Sequence, residues 1–226
     1  MFIELLLSSP VLALVWVLAI IIALTVHEFA HAYVAARLGD HTAESMGRLT
    51  LNPLAHVDLF GLLPLLILGF GWAKPVPFNP YNLKDPRRDS LLIALAGPGA
   101  NILLALFSAL IFQGVIATGL VGPTTLLSAF LILLIILNLF LVFFNILPIA
   151  PLDGSKIIDA LLVKPEHAKI RFAIAHYGPQ VLLALIIISI LTPFDVFFFV
   201  STPAFFVCDT LLGTSCSTFL GMLLSM

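Results

Sequence analysis

The sequence predicts an all-α polytopic membrane protein with about four to six transmembrane helices and a re-entrant or short β-loop segment after the first. Three observations predict it. Of 226 residues, 61% are hydrophobic and only 10% are charged, too little polar surface to cover a soluble domain of this size. The apolar residues come in runs that reach the roughly 18–20 residues a helix needs to cross a bilayer. The short alternating segments of a β-barrel do not appear.

The elements follow in chain order. The N-terminus, Met1-Phe2-Ile3-Glu4, lacks the positive n-region of a signal peptide and reads as part of a retained helix. The first span runs from about Pro10 to Leu38 and stops at Gly39. Asp40–Asp89 is a mixed segment rich in charge and proline. Within it, Leu59–Phe70 is apolar but short and interrupted by Gly61 and Pro64, which suits a re-entrant or interfacial element. Gly71–Tyr81 reads as extended loop or short strands, with Trp72 and Tyr81 at headgroup level. The second span covers about Ser90–Thr118, the third about Thr124–Leu147 and the fourth about Tyr177–Leu191. The tail offers Phe194–Val207 and Leu211–Leu224, broken at Pro203, Asp209 and Gly213. There is no internal repeat. The chain reads as one transmembrane domain over 1–226, with a core of about 11–155 and C-terminal helices of about 177–226.

Charge distribution sets the expected orientation. All ten Lys and Arg fall within Arg37–Arg88 and Lys156–Arg171. Both windows belong in the cytosol by the positive-inside rule. The uncharged link Gly119–Pro123 and the N-terminus then lie outside, and the fourth span runs outward. No basic patch with interleaved aromatics points to nucleic acid. Cys208 and Cys216 are two cysteines in an apolar tail. They read first as small buried residues, with a disulfide possible if the tail faces outside.

The chemistry concentrates in His27-Glu28-Phe29-Ala30-His31. Histidines at i and i+4 share a helix face and can reach one zinc ion. Glu28 stands beside them as a general base for a water whose pKa zinc lowers. Three ionisable residues in an apolar span are expensive unless paired or bound to metal. A catalytic zinc needs a third protein ligand and an open position. Asp153, after Pro148 and Pro151 break the third span, and His56 both qualify. His27 lies roughly 25 Å below Pro10 at 1.5 Å per residue, nearer the cytosolic side where Asp153 also falls. That depth favours Asp153 and leaves His56 as a rival.

Three stretches, HEFAH at 27–31, NPLAHVD at 52–58 and NILPIAPLDG at 145–154, with GPGAN at 97–101, resemble the site-2 protease family of intramembrane zinc metalloproteases. The similarity spans about Val11–Ser155 and is to the minimal prokaryotic type. It implies zinc held by His27, His31 and Asp153, Glu28 as catalytic base, and Asn145 near the site as an oxyanion donor. It implies cleavage within or next to transmembrane segments of membrane proteins in a prokaryotic cell membrane, with the active site nearer the cytosolic face. Segments 52–58 and 71–81 resemble the family's re-entrant element, thought to present substrate as a strand. Ser155 and Leu59 depart from the family's usual Gly and Pro. The short link between spans two and three leaves no room for a PDZ-like insertion, and no nucleotide-binding regulatory domain follows. Substrate and oligomeric state are not legible. Two rival classes remain: a metal or proton transporter, because intramembrane His and Asp also mark ion pathways, and a membrane protease of the prenyl-processing type, which needs a downstream Glu ligand that Glu44 and Glu166 do not supply convincingly.

Overall fold

Helices account for nearly all the regular structure of the computed structural model, which describes residues 2–68, 71–119, 121–122 and 125–224. Phe70 of the apolar stretch, and Leu120, Pro123 and Thr124 around the uncharged link, lie outside the described residues. In chain order the helices are α1 Phe2–Ser8, α2 Pro10–Arg37, α3 Thr42–Ser45, α4 Leu59–Leu68, α5 Pro86–Ala117, α6 Leu126–Asn145, α7 Asp153–Leu161, α8 Ala168–Leu191, α9 Phe198–Leu212 and α10 Cys216–Leu224. No strand occurs among the described residues; the 71–79 stretch has neither helix nor sheet pairing.

Local chemistry sets the ends of the long helices. α2 starts with Pro10 in its first turn, where the missing N–H costs nothing. It ends in a Schellman turn. Gly39, at φ 105°, lets the Asp40 N–H reach Ala35 O at 2.9 Å and the Gly39 N–H reach Ala36 O at 3.1 Å. The Asp85 carboxylate caps α5 by accepting the Arg87 and Arg88 N–H groups at 3.2 and 3.1 Å.

α2, α5 and α6 pack against one another most extensively and form the centre of the bundle. α6 is the most enclosed span, 61% buried. Four helical segments are long and apolar enough to cross a membrane: Pro10–Arg37, Pro86–Ala117, Leu126–Asn145 and Pro165–Leu191. Their outer faces are apolar, with Leu103 and Leu110 both 69% exposed, as lipid contact requires.

The expected boundaries need three adjustments. The second and fourth spans begin earlier, at Pro86 and Ala168, because a helix continues through polar turns that hydropathy excludes. The apolar stretch after α2 is helical, and Leu62 and Leu65 of α4 lie beside Ile20, Ile21 and Leu24 of α2. It therefore re-enters the bundle alongside the first span. The chain returns closely: a Cβ on Gly61 would overlap the Trp72 carbonyl, and one on Gly71 would overlap Leu65.

The third adjustment concerns the tail. Phe197 stacks near Phe144 at the end of α6, with ring centroids 5.6 Å apart. Phe205 meets Phe140 at 5.8 Å, and the Gln113 amide donates to Leu211 O at 2.5 Å. So α9 runs antiparallel to α6, starting at the end where α5 begins. The 192–197 link spans at most about 20 Å, so α8 ends within that distance of the end where α9 begins. α8 is also only 11% buried and touches the rest chiefly through α7 and the close approach of Gly178 to Ala150.

Cys208 and Cys216 form a disulfide, Cα–Cα 5.9 Å, rather than standing as separate small residues. Gly213, at φ 69°, ends α9 and turns the chain. Asp209 then accepts the Cys216 N–H at 2.7 Å, which brings α10 back against α9. The pair belongs to a core cluster with Phe112, Leu131 and Ile132, at the end remote from the basic residues.

Candidate metal centre

The α2 helix places His27 and His31 one turn apart, buried and turned inward towards α5. Their Nε2 atoms are 3.0 Å apart, and each is 3.2 Å from the same Asp153 oxygen, Oδ2. Each ring's other nitrogen is committed. His27 Nδ1 meets Asn101 Oδ1 at 2.5 Å, and His31 Nδ1 meets the Ile93 carbonyl at 2.6 Å.

These partners dictate the tautomers. A carbonyl can only accept, so His31 Nδ1 donates. The Asn101 amide nitrogen already donates to Ala23 O at 3.3 Å and to Asn138 Oδ1 at 2.6 Å. Its oxygen therefore faces His27, and His27 Nδ1 also donates. Asn138 in turn donates to Leu134 O at 2.6 Å within α6. Both Nε2 atoms then present lone pairs to each other and to a carboxylate oxygen. With both rings neutral, these three buried acceptors repel one another, and a cation at their centre relieves that. The donor set fits zinc, which takes imidazole and carboxylate ligands. These three residues are the group among those described whose ligand atoms could hold one metal ion.

Two glycines make room. Gly97 of α5 faces the pair: a Cβ there would overlap both His27 Nε2 and His31 Nε2. Gly154 lets α7 start directly under the end of α6, where a Cβ would overlap the Ile146 and Leu147 carbonyls. Asp153 thus sits in the first turn of α7 with its carboxylate turned back into the bundle. Lys156 Nζ holds its other oxygen at 3.2 Å.

Glu28 is buried beside the pair, and its Oε2 accepts the Val76 N–H at 3.0 Å. The 71–79 segment carrying Val76 is pinned elsewhere. The buried Arg48 guanidinium donates to the Lys74 and Pro75 carbonyls. Lys74 N–H bonds His56 O at 2.8 Å. Asp40, fully buried, accepts the Asn79 N–H at 2.6 Å and the Asn82 amide at 2.8 Å.

His56 stands outside the metal group. Its Nε2 bonds the Thr50 carbonyl at 2.8 Å, so this rival ligand braces the loop. Asn145 donates its amide to Leu141 O of its own helix at 3.0 Å; no hydrogen bond joins it to His27, His31 or Asp153. Sequence reasoning missed the parts played by Asn101 and Asn138. Their signal was present: each is an uncharged polar residue inside an apolar span.

The sequence matches the profile of Peptidase family M50 over residues 15–124 and 115–189. The chain belongs to that family. The two matched stretches hold His27, Glu28 and His31 in the first and Asp153 in the second. Among relatives, YwhC of Bacillus subtilis, named as a zinc metalloprotease, is 43% identical over 174 residues, 76% of this chain and 79% of that one. Rip2 of Mycolicibacterium smegmatis, also named as a zinc metalloprotease, is 31% identical over 184 residues, 74% of this chain and 64% of its own length. Rip2 of Mycobacterium tuberculosis is 34% identical over 156 residues, 65% and 56% of the two chains. No solved structure matches.

Proposed function

We propose that this M50 peptidase is an intramembrane zinc endopeptidase that cleaves membrane proteins within or next to their transmembrane segments. The observation that carries the reading is the convergence of His27 Nε2, His31 Nε2 and Asp153 Oδ2 inside a bundle of apolar helices, with Glu28 beside them. His27, His31 and Asp153 would hold the metal. Zinc bound there supplies a Lewis acid and lowers the pKa of water towards neutrality.

The chain's own residues supply the rest. Asn101 and the Ile93 carbonyl hold each imidazole in the tautomer that leaves Nε2 free. Glu28 takes the proton from the attacking water and passes it to the leaving amine. The extended 71–79 segment, already aligned with Glu28, offers a backbone edge on which an unwound substrate can add as a strand. Asn145 is assigned to the developing oxyanion on family resemblance. One of its two amide hydrogens is engaged by Leu141 O, and the other remains for substrate.

The orientation follows the charges: the end with Arg37 and Arg87 in the cytosol, and the disulfide end outside. A disulfide persists in an oxidising compartment, which supports the same sense. His27 lies ten residues before Arg37, about 15 Å along the helix, so the centre sits nearer the cytosolic side. The domain is the whole span 1–226, with the metal centre in its first two-thirds.

The test is Glu28→Gln. It should retain zinc and lose at least about 10²-fold in cleavage of a model transmembrane substrate, the range of general-base catalysis. Undiminished turnover refutes the mechanism. In the same assay His27→Ala and Asp153→Ala should lose zinc, and full zinc in Asp153→Ala would refute the ligand set.

A further inference from the structure

At the basic end of the bundle, a cavity of about 510 Å³ opens between the last turn of α2 and the first turns of α5. Its wall carries Arg37, Lys84 and Arg88, all exposed. Among the described residues none of the three lies in an ion pair with a carboxylate. Arg37 turns back over the Tyr33 ring, 5.8 Å from its centroid.

The two carboxylates in the wall are committed to backbone. Asp85 accepts the Arg87 and Arg88 N–H groups. Asp89 is buried and accepts the Asp85 N–H at 3.0 Å. The wall thus holds three cations outside any carboxylate ion pair, against two backbone-bonded carboxylates, around a space large enough for a headgroup at the ends of two helices long enough to span a bilayer.

The same cavity opens onto an apolar track. Leu92 lines its wall and is 40% exposed; Leu95, Ile102 and Leu106 follow at 41%, 43% and 42%. At 100° per residue these four fall on one face of α5. A charged pocket continuous with an exposed apolar stripe fits an amphipathic anion better than a free one. A zwitterionic lipid would bring its own ammonium against a wall in which cations outnumber carboxylates.

We propose that this cavity binds the phosphate headgroup of an anionic phospholipid, with an acyl chain lying along the Leu92–Leu106 face. Arg37 and Arg88 offer forked donors to the phosphate oxygens, and Lys84 adds a point charge. The site is separate from the metal centre and does not depend on its chemistry.

The test uses the full chain in detergent, titrated with phosphatidylglycerol, phosphatidylcholine or inorganic phosphate, and reads bound lipid by native mass spectrometry. Wild type should hold phosphatidylglycerol at least about tenfold more tightly than phosphatidylcholine. Each basic residue near a membrane surface contributes about 1 kcal/mol with anionic lipid, roughly fivefold in affinity. Lys84→Gln and Arg88→Gln should therefore each weaken phosphatidylglycerol binding about fivefold, and together about 25-fold. Both side chains are exposed and the cap of α5 uses backbone N–H groups, so the fold should be kept. A melting curve in phosphatidylcholine matching wild type checks this. Lys164→Gln, exposed and outside the cavity wall, should leave binding unchanged. Equal retention of the two lipids overturns the proposal. So does indifference to both cavity substitutions, or phosphate binding without preference for phosphatidylglycerol.

Discussion

His27 depends on atoms two helices away. Its Nδ1 is held by Asn101, which is held by Asn138 of α6. Partners of this kind typically alter metal affinity 10–100-fold. Asn101→Ala should therefore weaken zinc binding by about that factor while leaving the helices assembled, read by competition with a chelator alongside circular dichroism. Unchanged zinc affinity would remove Asn101 from the site. Gly97→Ala makes a sharper claim, because its Cβ overlaps both imidazoles. It should lose zinc although Ala is the better helix former by about 1 kcal/mol. Asp40 gives a pH prediction. Burial alone raises its pKa, but hydrogen bonds from Thr42, Asn82 and the Asn79 N–H outweigh this and hold the carboxyl below its usual value. A carboxyl lowered on folding stabilises fully above its ordinary pKa of about 4 and loses that contribution as pH falls through the lowered folded value. Protection of the 71–82 loop from limited proteolysis should be flat above about pH 5 and fail only below about pH 4. In Asp40→Asn the loop should be open at neutral pH with no further acid step.

At the scale of elements, the 71–79 segment is the least conventional part. It has no sheet to join, yet its backbone is fixed by Arg48, His56 O, Glu28 and Asp40. Arg48 ties it with a buried guanidinium on two successive carbonyls. Arg48→Ala should free the segment, raising its hydrogen exchange and increasing KM for a membrane substrate more than it lowers kcat. Exchange equal to wild type would show that the remaining ties suffice. The sequence pointed to an extended stretch here through Pro75, Pro77 and Pro80. It was silent on the anchors, because Arg48 and Asp40 lie 26 and 39 residues from the groups they hold. The re-entrant helix α4 was half legible: its shortness excluded a crossing, while its place beside α2 came from Gly61 and Gly71 permitting a tight return.

At the scale of the whole molecule, basic residues mark one end and a disulfide marks the other. Alkylation of the folded, unreduced chain should label no cysteine, and reduction should release two reactive thiols. Labelling before reduction would contradict the Cys208–Cys216 bond. In a background lacking both cysteines, Asn82→Cys should react with an impermeant reagent only from the cytosolic side, and Gly122→Cys only from outside. The reverse pattern would invert the orientation. α8 contributes little burial to the bundle and α9 a great deal. Removal of the packing at Gly178 by Gly178→Leu should displace α8 and leave the zinc content intact.

By itself the sequence determined the membrane class, the long helices and the paired histidines with Glu28. These are properties of hydropathy runs and of spacing within one helix, both local. It also favoured Asp153 over His56 as the third ligand, on depth and on family resemblance, without excluding the rival. Tertiary structure brought Asp153 back under α6, where Gly154 permits contact, and turned His56 to the Thr50 carbonyl. It joined the two cysteines across the Gly213 turn and set α9 antiparallel to α6, a course the broken apolar tail had left open. It revealed the asparagine relay, since a lone polar residue in an apolar helix names no partner until packing supplies one. Each of these depends on which helix faces meet, and that is decided by close fit between residues far apart in the chain.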